Sequence, residues 1–109
     1  MNNGVKEFYI ADVVTGESGR TTVIGRAGDQ PIPVGTRFTL IYKQKKQKYP
    51  EGFTEEPVRE KEKQISVTVL DASAYGRQMK EVPGNTTGSL VVDENDMEAL
   101  PPGWMLSEK

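Results

Sequence analysis

The stretch Lys6–Lys43, KEFYIADVVTGESGRTTVIGRAGDQPIPVGTRFTLIYK, decides the fold. It holds three runs of aliphatic, aromatic and β-branched residues, each cut by glycine or proline before it reaches the length of a typical helix. Alternation over Lys6–Thr15 puts Phe8, Ile10 and Val14 on one side and Tyr9, Ala11 and Val13 on the other. Both faces are then apolar, as expected of a strand within a barrel wall. Gly16-Glu17-Ser18-Gly19 turns the chain into Arg20–Ala27, and Pro31, Pro33 and Gly35 mark a second reversal before Arg37–Lys43.

Beyond Lys63 the pattern resumes. Ile65, Val67 and Val69 alternate, with Leu70 beside them; Tyr75-Gly76 breaks the run, Arg77–Val82 follows, and Gly84 turns the chain into Ser89–Asp93. Asp96 is a suitable N-cap for one helical turn stopped by Pro101-Pro102, after which Trp104 and Leu106 complete the apolar pattern. The reading is all-β: a small closed antiparallel Greek-key barrel of six or seven strands, with a two-sheet sandwich as the competing arrangement. Phe8, Ile10, Val23, Phe38, Leu40, Val67, Val69, Leu90 and Leu106 are expected in its core.

The chain has 109 residues, one domain's worth, able to bury roughly two thirds of the surface its unfolded form exposes. A net charge of −2 argues against a whole-surface footprint for DNA or RNA and leaves any nucleic-acid contact to a local patch. Cysteine and histidine are absent. With them go disulfides and the usual zinc ligands, thiol nucleophiles and imidazole bases. No apolar run has the length of a signal peptide core or a membrane span, so a cytoplasmic protein without a membrane partner is the expectation.

The order of motifs resembles that of one family. Phe8-Tyr9-Ile10-Ala11-Asp12-Val13, Gly19-Arg20, Val23-Ile24-Gly25-Arg26 and Ile32-Pro33-Val34-Gly35 follow one another as in domain 2, the β-barrel, of translational GTPases such as elongation factor Tu. Ile65-Ser66-Val67, Val82-Pro83-Gly84, Gly88-Ser89-Leu90-Val91-Val92 and Pro102-Gly103-Trp104-Met105-Leu106 continue the likeness over nearly the whole chain. The Gly19-Arg20 turn is one residue shorter than the family's Gly-Arg-Gly. The resemblance implies the barrel fold and a binding surface. It does not extend to GTP hydrolysis, since no Gly-x-x-x-x-Gly-Lys-[Ser/Thr] loop is present and 109 residues leave no room for a nucleotide-binding domain beside the barrel. A stand-alone, non-enzymatic barrel needing no cofactor is expected.

Other chemistry is thin. Asp93-Glu94-Asn95-Asp96 with Glu98 lacks the spacing and glycine of a calcium loop and reads as a solvated acidic loop. Asn85-Thr86-Thr87 reads as a turn rather than a glycosylation site. Asp12 and Asp71, at strand ends, are the acids to weigh for proton transfer, and the usual fate of such groups is solvation or a bond to a turn amide.

The informative departure is the excursion over residues 43–63. Lys43, Lys45, Lys46 and Lys48 precede Tyr49-Pro50-Glu51-Gly52-Phe53, and Glu55, Glu56, Glu60 and Glu62 follow, mixed with Arg59, Lys61 and Lys63. Pro50 and Gly52 suit the second and fourth positions of a type I turn, which would return the limbs as an antiparallel ribbon. If paired positions sum to 103, Lys43 meets Glu60 and Lys48 meets Glu55. A solvated loop is the plainer alternative. As a binding element, Lys43, Lys45, Lys46 and Lys48 would track phosphates while Tyr49 and Phe53 stack on bases. The same residues would equally serve a protein partner, charges steering and rings anchoring. An RNA or protein partner is expected, with no DNA.

Overall fold

A computed structural model describes residues 5–15, 20–45, 58–94 and 100–108, with the side chains of 44, 45 and 58–60 set aside. Nine strands form among these residues: β1 (Glu7–Thr15), β2 (Thr21–Ala27), β3 (Ile32–Pro33), β4 (Arg37–Lys45), β5 (Val58–Ala74), β6 (Arg77–Met79), β7 (Glu81–Val82), β8 (Thr87–Val92) and β9 (Trp104–Ser107). No helix occurs among the described residues, and the proposed helical turn after Asp96 lies outside them, as do residues 16–18 and Gly19 of the first turn.

The strands run β4-β9-β1-β2-β8-β5, and a further β4–β5 pairing returns the sheet to its starting strand. The ring is a closed, antiparallel, six-stranded barrel, with β6 attached to β5 as a seventh strand. Closure excludes the sandwich. The device behind it is the 17-residue β5. Its first part, up to Thr68, pairs with β4, and its last part, from Val69, pairs with β8. A short second sheet, β3–β7, sets Ile32 opposite Val82, both fully buried, at the end of the barrel where β4 begins.

Eight of the nine expected core residues are buried; Leu40 is half-buried, and Ile41 takes the core position. The reason is a slip in β4–β5 pairing between Phe38 and Leu40, which breaks strict alternation. A second correction concerns β1. Its register shifts between Ile10 and Asp12, so Val13 turns inward at 8% exposure and Val14 outward at 37%. Tyr9 is 43% exposed, so the second face of β1 is a solvent face rather than a buried one. The expected run Arg77–Val82 is two strands, divided at Lys80.

Polar groups finish the ladders. Where β5 leaves β8, the Thr68 amide donates to Asp93 Oδ1 at 2.8 Å, and the Asp93 amide returns a bond to the Thr68 carbonyl at 3.2 Å. Replacing Asp93 with alanine should remove the first bond and lower stability by about 1 kcal/mol, read as a shift in urea midpoint at unchanged slope.

Candidate binding surface

The ladder between β4 and β5 continues past the barrel's core through Lys43↔Glu60, Gln44↔Arg59 and Lys45↔Val58. These pairs sum to 103, the register that a turn over Pro50–Gly52 would produce. Nearer the barrel, Ile41 pairs with Lys63, and the slip between Ile41 and Lys43 falls where Lys61 holds a left-handed φ of 55°. Of the expected site residues, Lys43 is exposed and Lys45 is placed on β4 by its backbone. Lys46, Lys48, Tyr49 and Phe53 lie outside the described residues.

On its other edge β4 pairs with β9, and Lys43 sits opposite Trp104. Trp104 is half-buried against the core, and the Lys63 ammonium lies 5.5 Å from its ring centroid, within cation–π range. The sequence pattern places Trp104 in the barrel wall and Lys63 in the excursion without joining them. Their union depends on β4 standing between β5 and β9, a non-local arrangement. The chain has a single tryptophan, preceded by Pro102-Gly103, and that was the available signal.

A second feature occupies the outer face of β2, β5 and β8. An open groove of about 300 Å³ is lined by Ile24, Ser73, Ala74, Tyr75, Thr87 and Ser89, among others. Tyr75 is 70% exposed, with its hydroxyl 3.4 Å from that of Thr86. It begins the two-residue turn between β5 and β6, where Tyr75 and Gly76 have φ of 55° and 74°. Such a turn favours Asn-Gly, because a bulky residue strains in the left-handed region. Tyr75→Asn should therefore raise stability by roughly 0.5–1 kcal/mol in a thermal melt. A decrease would show that the ring's own contacts outweigh the strain.

Asp12 and Asp71 do not meet as a pair. Asp12 Oδ1 accepts from the Val13 amide at 2.9 Å, and Asp71 Oδ1 accepts from Gln78 Nε2 at 2.9 Å. Asp12 lies on β1 and Asp71 on β5, with β2 and β8 between them. Asp93 is engaged with Thr68, and residues 95–98 of its acidic run lie outside the described residues. No group of three metal-ligating side chains occurs among the described residues. No described helix is long and apolar enough to cross a membrane.

No protein-family model matches the chain, and no curated protein matches it. Solved structures do. The translation elongation factor SelB of Methanococcus maripaludis, in its apo form, superposes with a TM-score of 0.67 at 12% identity over 98% of this chain and 19% of that one. The same factor in complex with the GTP analogue GppNHp gives the same TM-score, 0.67, identity, 12%, and coverage, 98% and 19%. This chain spans about a fifth of the length of the proteins it matches. The likeness is one of fold, and the chain has a β-barrel fold that also occurs within a translational GTPase.

Proposed function

We propose that this chain is a non-enzymatic, cytoplasmic binding module that holds RNA, or an RNA-containing assembly, through the basic and aromatic arm carried by β4 and β5. The observation behind the reading is the β4–β5 ladder itself, which runs on past the core to Lys45↔Val58 and places Lys43 and Lys45 in a defined register. The fold shared with a translation elongation factor supports a role beside RNA. Lys43, Lys45, Lys46 and Lys48 supply the phosphate contacts, and Tyr49 and Phe53 the stacking surfaces.

Binding to a short single-stranded RNA, followed as salt is raised, tests this. Four lysine contacts should give a log–log slope of about −3, and the absence of binding at low salt would sink the reading. Neither GTP nor a chelator should move the melting temperature, because a ligand specific to the native state would raise it by mass action. A protein-interaction module is the second reading, favoured by the exposed Tyr75 beside the Ile24 groove, a shape suited to an anchoring side chain. Capture of a partner that survives nuclease and depends weakly on salt would select it.

A further inference from the structure

We infer that Lys43 and Lys63, gathered around Trp104 at the arm end of the barrel, form a phosphate-binding site, the fixed point that grips one phosphodiester of a bound RNA. The identity of the ligand as RNA rests on the function proposed above. The anion site stands on geometry alone.

Three strands build it. Ile41 of β4 is buried opposite Leu106 of β9, also buried, and opposite Lys63 of β5. Two residues farther along both β4 and β9, the phase returns to the same face, and the paired residues are Lys43 and Trp104. The core-facing side of the wall therefore ends in a lysine, an indole and a second lysine, contributed by β4, β9 and β5. Cross-strand partners stand close enough for their side chains to touch. The Lys63 ammonium is held over the ring at 5.5 Å.

Two consequences follow. A lysine already held over an aromatic face has lost much of its rotamer freedom before a ligand arrives, so less is lost on binding. Trp104 is thus a positioning residue, its ring half-buried against the core with the Lys63 ammonium over it. The two ammoniums also carry like charge on one small surface; Glu60 stands opposite Lys43 on β5, and no ion pair of either lysine occurs among the described side chains. A multiply charged oxyanion placed between them relieves that repulsion and accepts from both. The site lies at the root of the basic limb, where a strand of phosphates tracking Lys45 and beyond would reach the barrel.

Trp104 is the single tryptophan in the chain, so its fluorescence reports on this site alone. Pyrophosphate titrated into the full chain at constant ionic strength should change that fluorescence saturably. Lys63→Gln and Lys43→Gln should each raise the half-saturating concentration about tenfold, the loss of one charge-assisted bond. Lys61→Gln, at the exposed bulge, should leave the curve in place. No saturable change, or an unaltered curve in both Lys43→Gln and Lys63→Gln, would overturn the site. A labelled single-stranded oligouridine forms the second arm, in which Lys63→Gln should flatten the log–log salt slope by about 0.7. Lysine-dependent pyrophosphate binding without RNA binding keeps the anion site and removes the RNA reading. RNA binding with unchanged affinity and slope in both variants removes this proposal and keeps the RNA reading.

Discussion

Replacing Gly25 with alanine should destabilise the barrel by about 4 kcal/mol or more, a large share of the roughly 5–15 kcal/mol that holds a domain together. A Cβ at this position would lie 1.7 Å from the Tyr9 carbonyl oxygen and 2.9 Å from its carbon. The obstacle is backbone, so no rotamer change relieves it. Nor can β1 withdraw freely, since it is paired with β2 on one edge and with β9 on the other. Behind the carbonyl, Phe8 Cε2 is 3.0 Å from the same Cβ and fully buried. Gly28→Ala is the matched control. Its Cβ would meet the Glu7 carbonyl oxygen at 3.5 Å, an ordinary contact, and stability should change by about 0.5 kcal/mol or less. Thermal melts of the two variants settle the point, and a Gly25→Ala protein as stable as its parent would show that the close approach of β1 and β2 is not required.

The second large effect is expected on binding rather than on folding. Lys45, Lys46 and Lys48 changed together to glutamine should weaken binding to single-stranded RNA about a hundredfold at low salt and flatten the log–log salt slope by roughly 2. Stability should shift by only about 0.5 kcal/mol, the usual size for a charge substitution away from a core. Tyr49 and Phe53 changed to alanine should cost roughly 1–3 kcal/mol of affinity if the rings stack on bases or anchor in a partner. RNA affinity retained in both variants would move the contact onto the barrel wall, where the Tyr75 groove is the surface to test next.

The features legible along the chain are local. Glycine and proline punctuation placed the strands because the limits they impose on φ act within a few residues. The match of Lys43 to Glu60 was legible because a type I turn expected at Pro50 and Gly52 implies that register. The order of strand and glycine motifs carried the fold, and Gly25 shows why it does: its missing side chain is what lets β1 and β2 approach.

Tertiary structure alone decided the phase of the walls and the composition of the site. Val13 rather than Val14, and Ile41 rather than Leu40, face the core because pairing slips beside each, and such slips are negotiated with strands distant in sequence. An alternation read along one strand cannot register them, since a single inserted residue reverses every side chain that follows. The same holds for closure. β5 pairs with β4 over its first part and β8 over its last, and only that division brings Lys63 of β5 and Trp104 of β9 to either side of β4. In sequence the two residues are 41 positions apart, and hydrogen bonds around the closed ring place one over the other.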